Sequence, residues 1–318
     1  MTNKTFDVVV VGGGPAGLSA AVALGRARRT VAVIDSGEPR NAPAHAVHNF
    51  LTRDGTSPAE MLRLGRAEAQ SYGAVIVDAR AESAKKTADG FSVTLATGET
   101  VAGRRLLVTT GLVDELPNVS GLRERWGIDV LHCPYCHGWE VRDRAIAVLA
   151  VGPMAVHQAQ LFRQWSADVT LLLNEQQEPT DEQLELLAAR GIPVIRGAVE
   201  SLVVKNDALA GVALSDGRTH PVEALVVAPT FTARAGLLVD LGVELTPHPM
   251  GAGFGTFVAV DAAGATALPG VWAAGNVSNL TGQVITSAAE GLWAGAQINA
   301  SLIADDERAA LEAYRARR

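Results

Sequence analysis

Cysteine is scarce in this sequence, and so are aromatic residues and long apolar stretches. Only two of the 318 residues are cysteines, which excludes a disulfide-rich secreted scaffold. No apolar run approaches the roughly 20 residues that span a bilayer. The first residues also lack the basic segment and apolar core of a signal peptide. We therefore expect no membrane as a partner and a cytoplasmic location.

Clustered positive charge is also missing. The formal net charge is −7, whereas nucleic acids and anionic membranes attract clustered Lys and Arg. We therefore expect no nucleic acid as a partner. With 48% hydrophobic and 19% charged residues, the chain has the composition of a soluble globular protein, and its length suits two domains of ordinary size.

The two cysteines stand together, in the sequence His132-Cys133-Pro134-Tyr135-Cys136-His137. A structural zinc site needs four ligands; there is no second pair, so we expect no metal. Haem attachment to such a motif requires export to an oxidising compartment, and a structural disulfide across so short a loop restrains the unfolded chain little. The interpretation that remains is redox chemistry of the pair Cys133 and Cys136.

A nucleotide-binding pattern occupies the N-terminal part. Phe6–Val11 predicts a strand, residues 12–17 form a G-x-G-x-x-G turn, residues 18–27 predict a helix, and residues 30–34 predict a second strand that ends at Asp35. The glycines let the backbone approach a pyrophosphate, the helix N-terminus supplies amide donors, and Asp35 can hold ribose hydroxyls. The cofactor-binding residues predicted in this module are Gly12, Gly14, Pro15, Ala16, Gly17 and Asp35.

A second, altered copy of this pattern covers residues 145–174. A strand over 145–149, a turn over 150–155, a helix over 156–165 and a strand over 168–173 are expected. Ala150 stands where the first glycine belongs, and Pro153 removes a backbone donor near the phosphate position. The strand ends with no Arg to grip a 2′-phosphate, and Glu175 would repel one. This module is expected to bind NADPH weakly or not at all, or to accept NADH.

The order of these motifs resembles that of the low-molecular-weight thioredoxin reductases over essentially the whole chain. The shared order is the glycine loop, a Thr-Gly element, the C-x-x-C pair in a second nucleotide domain, a late Gly-Asp-type element (Gly275-Asn276 here), and a helix start that contains Gln. The resemblance implies an α/β fold of two Rossmann-like, three-layer FAD/NAD(P)-binding domains, the second inserted into the first. The expected parts are 1–115 (FAD-binding domain, first part), 116–245 (NAD(P)-binding-like domain carrying the C-x-x-C pair) and 246–318 (FAD-binding domain, second part).

The same resemblance implies FAD as the cofactor and a homodimer as the assembly. Besides the glycine loop and Asp35, it implies that a further set of residues lies around the flavin: Asn49 beside the ring, Thr110 and Gly111, Gly275 and Asn276 near the ribityl chain, and Gln283, Val284 and Ile285 at the pyrimidine edge.

The chain departs from the reductases where they bind NADPH and after the second cysteine. In place of Gly-x-Gly-x-x-Ala it has Ala150-x-Gly152-x-x-Ala155, and in place of His-Arg-Arg it has Leu173-Asn174-Glu175. His137 follows Cys136 where the reductases have Asp, and Asn276 replaces an Asp in the late motif. The sequence from His137 through Glu140 resembles the branch of dithiol oxidases that close disulfides in small natural products.

That branch implies a small-molecule dithiol and O₂ as the reactants. Cys133 would meet the substrate and Cys136 would lie next to the flavin. His137 would take thiol protons, because an imidazole titrates near neutral pH; His45, His48 and His132 are weaker candidates. Two alternatives stay open: an NAD(P)H-dependent reductase whose partner is a thioredoxin-like protein, and a flavin-containing redox sensor or binding module without turnover.

Overall fold

The computed structural model describes residues 5–251 and 253–318, and the chain forms two compact units. The glycine-loop unit comprises the chain up to Ala42, Ala59–Val113 and Phe231–Arg318. The dithiol unit comprises Pro43–Pro58 and Asp114–Thr230. The domain boundaries expected from the sequence, 1–115, 116–245 and 246–318, stay predictions.

The chain contains both helices and strands, with parallel strands around Thr5–Val11 and Ile146–Leu149, which confirms the α/β prediction. The N-terminal part contains β1 (Thr5–Val11), α1 (Pro15–Arg26), β2 (Val31–Asp35), α2 (Pro58–Ser71), β3 (Val75–Asp78), β4 (Ala81–Thr87), β5 (Gly90–Leu95), β6 (Thr100–Val108) and β7 (Leu112–Glu115). The middle part contains β8 (Val130–Leu131), α3 (Pro134–His137), β9 (Ile146–Leu149), α4 (Ala155–Phe162), β10 (Val169–Leu172), α5 (Asp181–Ala189), β11 (Val194–Ile195), β12 (Val199–Lys205), β13 (Ala208–Leu214), β14 (Thr219–His220) and β15 (Ala224–Val227). The C-terminal part contains β16 (Thr230–Ala233), α6 (Gly236–Asp240), β17 (Leu245–Pro247), β18 (Gly255–Val258), β19 (Val271–Ala273), a short 3-10 helix (Gly275–Val277) and α7 (Val284–Ala316).

The glycine-loop unit is built on a seven-stranded sheet. Its order is β3-β2-β1-β6-β5-β4, with β19 also paired to β6; the strands around β1 are parallel, and β4, β5 and β6 are antiparallel. Val8 and Val10 of β1 pack on the side of α1 and α7, and Val9 and Val11 pack on the opposite side. Because both faces are covered, β1 is apolar and buried from Val8 to Val11. A four-stranded sheet has the order β17-β18-β16-β7.

Helices α1 and α7 approach each other closely through small residues. A Cβ atom on Gly291 would lie 2.6 Å from the carbonyl carbon of Ala16, and one on Gly295 would lie 3.1 Å from the carbonyl oxygen of Ala20. Helix α7 runs to Ala316, and its residues after Leu302 are mostly exposed. The apolar periodicity that predicts a packed helix therefore stops before the helix does.

The dithiol unit has three layers. Its central sheet is parallel, in the order β11-β10-β9-β15-β8, and a separate antiparallel sheet has the order β12-β13-β14. Ile146 and Val148 of β9 pack on the side of α4 and α5, whereas Ala147 and Leu149 pack on the side of the antiparallel sheet. The second nucleotide module predicted from the sequence is the β9-α4-β10 part of this sheet.

Candidate functional site

The glycine loop joins β1 to α1 through a backbone that only glycine adopts easily. Gly12 has φ +109°, and a Cβ atom there would lie 2.7 Å from the carbonyl carbon of Thr109. The Thr109 hydroxyl donates to the carbonyl oxygen of Gly12 over 2.8 Å, which fixes the loop to the end of β6. The first predicted glycine therefore makes the tight turn.

The other two glycines of the motif differ in their surroundings, because the space beside Gly14 is open and the space beside Gly17 is filled. Gly14 is the N-cap of α1, and no described atom beyond its chain neighbours lies within 4 Å of the position that its Cβ would take. A Cβ on Gly17 would instead overlap the Gly12 carbonyl and come within 2.7 Å of the Thr109 hydroxyl. The open side at Gly14, where Pro15 starts the helix, fits a pyrophosphate.

Asp35 ends β2 beside the loop, as predicted. A Cβ on Gly13 would lie 2.6 Å from the carboxyl carbon of Asp35, so the carboxylate packs against the loop backbone. Arg66 of α2 pairs with Asp35 and also contacts Asp78 at 2.6 Å. Sequence reasoning did not find Arg66, because nothing in its helix distinguishes it from the other exposed arginines. Its guanidinium holds the carboxylate that we expect to meet the ribose.

The predicted Thr-Gly element is hydrogen-bonded to Arg234, which directly follows β16. The Thr110 hydroxyl donates to the Arg234 carbonyl over 2.6 Å, and the Arg234 amide donates to the Gly111 carbonyl over 2.9 Å. Gly111 has φ +72°, so the chain turns here directly after β6. Both residues lie at the same end of the sheet as the glycine loop, because Val108 of β6 pairs with Val11 of β1.

The late motif is a compact hydrogen-bonded turn. The Asn276 amide nitrogen donates to the carbonyls of Asn279 and Gly282, each over 2.8 Å, and its oxygen accepts from Arg40 over 3.3 Å. Glu290 of α7 accepts from the Gly275 amide over 2.9 Å. Asn276, which stands where the reductases have Asp, is therefore suited to this turn, because a carboxylate could not donate to two carbonyls.

Helix α7 begins at the predicted pyrimidine-edge residues. Gln283 is its N-cap, and Val284 and Ile285 form its first turn. A Cβ on Gly275 would lie 3.0 Å from the Cβ of Ala16, so the late motif packs directly on the start of α1. The predicted residues of the glycine-loop unit are thus brought together at one end of one sheet, around the positive ends of two helices.

The dithiol lies on a short helix in the other unit. Cys133 is the N-cap of α3, Pro134 is its first residue, and the amides of Cys136 and His137 both donate to the Cys133 carbonyl over 3.2 Å. Both cysteines are half-buried. The C-x-x-C spacing thus places the two sulfurs on one turn of helix.

Trp165 supports this helix from below. A Cβ on Gly138 would lie 2.8 Å from the Trp165 ring, and the ring of Tyr135 meets Trp165 edge to face at 5.8 Å. Only glycine fits at this contact. Tyr135 and Trp139 are otherwise exposed, at 60% and 66%, so the surface beside the cysteines is aromatic.

His137 closes the helix and is half-buried. Burial lowers its pKa below the ordinary value, Glu140 raises it, and His48 lowers it. A lowered pKa keeps the imidazole neutral at neutral pH, the form that accepts a proton. His137 therefore has the protonation state that its predicted role as a base requires.

A segment distant in sequence contacts the dithiol helix. The Asn49 side chain donates to the Tyr135 carbonyl over 2.5 Å, and His48 lies between Asp54 and Glu140. The resemblance placed Asn49 beside the flavin ring; in the structure its amide is bound to the peptide between the two cysteines. The sequence shows only that Asn49 is followed by turn-forming residues, so these contacts could not be read from it. Of the other candidate histidines, His132 contacts the Val227 carbonyl at 3.2 Å.

The altered nucleotide module keeps its strand-turn-helix order, but the residues that follow its two strands β9 and β10 differ from those of a nucleotide site. Ala150 is buried at 1% exposure. Leu173 is buried as well, and the Asn174 side chain accepts from the Val199 amide over 2.9 Å. Asn174 and Glu175 both have positive φ. The side chains after β10 are therefore a buried leucine, an asparagine engaged with the backbone, and a carboxylate.

Residues 5–251 and 253–318 contain neither a metal-binding cluster nor a membrane-spanning helix. No group of three or more His, Cys, Asp or Glu side chains in these residues is arranged to hold a metal ion. In the same ranges, no helix combines the length and the apolar character needed to cross a membrane.

Comparisons with known proteins match nearly the whole chain. A family model described as pyridine nucleotide-disulphide oxidoreductase matches residues 6–291. The chain is 32% identical to the protein named thioredoxin reductase sirT of Leptosphaeria maculans, covering 95% of each chain, and 32% identical to thioredoxin reductase tcpT of Claviceps purpurea, covering 96% of each. These matches confirm the resemblance to the thioredoxin reductase-like proteins.

Solved structures agree in fold. The crystal structure of HlmI superposes with a TM-score of 0.91 at 43% identity, covering 98% of this chain and 97% of HlmI. An oxidoreductase from Agrobacterium tumefaciens gives a TM-score of 0.88 at 36% identity, covering 94% of this chain and 99% of that one. The predicted α/β fold with two Rossmann-like domains is confirmed by these neighbours.

Proposed function

Because this chain belongs to the pyridine nucleotide-disulphide oxidoreductase family, we propose that it is an FAD-dependent dithiol oxidase, which closes an intramolecular disulfide in a small-molecule dithiol and reduces O₂ to H₂O₂. The coarser statement is established: it is an oxidoreductase of the thioredoxin reductase type, and the family implies a bound flavin. The oxidase activity, the substrate class and the use of O₂ are the proposal.

One observation carries the choice of oxidase over reductase. After β10, where the reductases have His-Arg-Arg for NADPH, Leu173 is buried, Asn174 is engaged with the Val199 amide, and Glu175 is negative. None of these three side chains can bind a 2′-phosphate, which is recognised by arginine. Electrons that do not come from NADPH must come from another reductant, and the C-x-x-C pair suits a dithiol.

The residues of the glycine-loop unit fit FAD. The open space at Gly14 and the unblocked start of α1 suit the pyrophosphate, Asp35 suits the adenosine ribose, and the turn at Asn276 with the start of α7 suits the flavin end. When bound, FAD supplies a two-electron acceptor for the reduced cysteine pair and passes these electrons to O₂.

The remaining steps belong to the side chains of the dithiol helix. His137, kept neutral by burial, accepts a proton from one substrate thiol. The thiolate attacks Cys133 of the oxidised pair, so that a substrate–Cys133 bond forms and the Cys133–Cys136 bond breaks. The second substrate thiolate then attacks the substrate sulfur of this mixed disulfide and releases Cys133. The substrate loses two electrons and two protons, and one O₂ becomes one H₂O₂.

The alternative function is an NAD(P)H-dependent reductase of a thioredoxin-like protein. It is favoured by the names of the relatives and by the intact strand-turn-helix order of β9, α4 and β10. In that case electrons would flow in the opposite direction through the same cysteines. Both proposals include a homodimer, which the resemblance implies. Light scattering, which gives the molar mass in solution, tests it.

Anaerobic mixing separates the two functions. The purified holoprotein is mixed with NADPH, NADH or reduced 1,4-dithiothreitol, and the flavin absorbance is followed. The oxidase predicts fast bleaching by the dithiol, slow or no bleaching by either nicotinamide, and H₂O₂ release in air. A Cys136→Ser variant is the control and should not be bleached by the dithiol. Fast bleaching by NADPH would refute the oxidase and support the reductase.

A further inference from the structure

The loop over residues 48–54 is organised by one carboxylate. Asp54 accepts a hydrogen bond from the Asn49 amide over 2.9 Å, and its other oxygen lies 3.3 Å from Nδ1 of His48. Asn49 has φ +60°, a conformation that asparagine tolerates better than most residues. The hydrogen bond from the Asn49 amide lowers the pKa of Asp54 most, and the one with His48 lowers it further. The carboxylate therefore stays charged.

The other face of the His48 ring reaches the dithiol segment. Nε2 of His48 lies 3.3 Å from the Glu140 carboxylate. Glu140 is bound to the dithiol helix, because its amide donates to the His137 carbonyl over 3.2 Å. The His48 side chain is only 21% exposed, while those of Asp54 and Glu140 are 67% and 42% exposed. A sheltered imidazole therefore joins two carboxylates that are both well exposed to water.

We propose that His48 is a positioning residue: by joining Asp54 to Glu140 it holds the Glu140 carboxylate beside His137 and so sets the pH range in which His137 serves as the base. The inference rests on the proposed function, because it assigns His137 that role. It adds a residue from a distant segment to the dithiol site. An imidazolium can donate to both carboxylates, whereas a neutral ring can donate to only one.

The two neighbours of His137 act in opposite directions. The Glu140 charge raises the pKa of His137 and a His48 charge lowers it, against a larger lowering by burial. Removing Glu140 must therefore lower this pKa. Removing His48 would raise it if His48 acted only through its own charge, but would lower it if the main role of His48 is to hold Glu140 in place. The direction of the change thus separates the two roles.

Several other charged and titratable groups lie on the two segments that meet here. They are His45, Arg53, His132, Cys133, Tyr135, Cys136, Arg142 and Asp143. The charges that shift the pKa of His137 are those of Glu140, which raises it, and His48, which lowers it. The Arg142 guanidinium lies 4.1 Å from the centre of the Trp139 ring. These groups stay unchanged in the variants below, so they do not alter the comparison.

The test is an NMR titration of the His137 ring in the holoprotein, with the signal assigned by its loss in His137→Gln. The variants are His48→Gln, Glu140→Gln, the double variant, and Asp54→Asn, which keeps an acceptor for the Asn49 amide. His157→Gln, at an exposed position of α4, is the matched control. We expect the titration midpoint of His137 to fall by about half a pH unit or more in His48→Gln and in Glu140→Gln. It should fall less in Asp54→Asn and not change in His157→Gln.

In the double variant the His137 midpoint should fall no further than in Glu140→Gln alone, because the effects of residues that act through each other are not additive. A rise of the midpoint in His48→Gln, no change, or an additive double variant would overturn the proposal. Asp54→Asn keeps the test available if His48→Gln does not fold. The pH profile of flavin bleaching by dithiothreitol should move with the NMR midpoint. If the dithiol does not bleach the flavin but the midpoints move as expected, the oxidase fails and the positioning role stands.

Discussion

Alanine at Gly14 and alanine at Gly17 perturb opposite sides of the same loop. At Gly14 the added methyl group points into space where no described atom beyond the chain neighbours lies within 4 Å, and the φ of −77° is open to alanine. At Gly17 it would overlap the Gly12 carbonyl and lie 2.7 Å from the Thr109 hydroxyl. The contacts at Gly17 involve backbone, which cannot move aside as a flexible side chain does.

The expected effects differ in kind. Gly17→Ala overpacks the turn, which costs about 1–3 kcal/mol and lowers the melting temperature of the apoprotein by roughly 3–10 °C. Gly14→Ala should leave this temperature unchanged within about 1 °C, because nothing in the protein is displaced. It should weaken FAD binding by about tenfold or more, which corresponds to about 1.4 kcal/mol, since the methyl group fills the space assigned to the pyrophosphate.

The assay measures both quantities on the same preparations. Apoprotein melting is followed by circular dichroism, and FAD affinity by quenching of flavin fluorescence during titration. The control is Ser36→Ala, in the loop after β2. Gly37→Ala would not serve, because Gly37 has φ +73°, a conformation that alanine rarely adopts. Normal FAD affinity in Gly14→Ala would refute the assignment of the phosphate position, and equal destabilisation by both glycine variants would refute the packing argument.

Three further substitutions test other parts of the structure. Asn276→Asp should destabilise the protein by about 1–3 kcal/mol in urea unfolding, because the donor to two backbone carbonyls is lost. Gly138→Ala should displace the dithiol helix from Trp165 and slow flavin bleaching by dithiothreitol at least about tenfold, as stopped-flow absorbance would show, with little change in melting temperature. Arg125→Met should cost about 3–5 kcal/mol by urea unfolding, because it leaves the buried Asp129 carboxylate without its partner; Asp129→Leu in the same chain should recover most of that loss.

The first nucleotide module was predictable from the sequence because its signals are local. The predicted strand Phe6–Val11 and the structural β1 differ by one residue, and the predicted second strand ends at Asp35 in both. Glycine spacing, a buried strand and a terminal acid lie within one short segment, so one fold unit carries the whole pattern. The C-x-x-C pair was an equally local signal, and in the structure Pro134 is the first residue of the helix that carries it.

The contacts of the 43–58 segment were not predictable, and the reason is sequence distance. His48 meets Glu140 and Asn49 meets Tyr135 across more than eighty residues, which include Ala59–Val113 of the glycine-loop unit. Neither residue stands in a periodic pattern, and both lie in turns, where composition says little about long-range partners. Arg66 was missed for a related reason, because its partner Asp35 lies on another element.

The packing of α7 on α1 has a consequence for the order of assembly. Residues Gly291 and Gly295 meet the backbone of Ala16 and Ala20, so the layer over the glycine loop needs the helix that is translated after every other helix and strand in the structure. Most of the dithiol unit, 114–230, leaves the ribosome earlier and has its own core. Cofactor capture must therefore follow synthesis of α7, and a chain truncated before Val284 should not retain FAD.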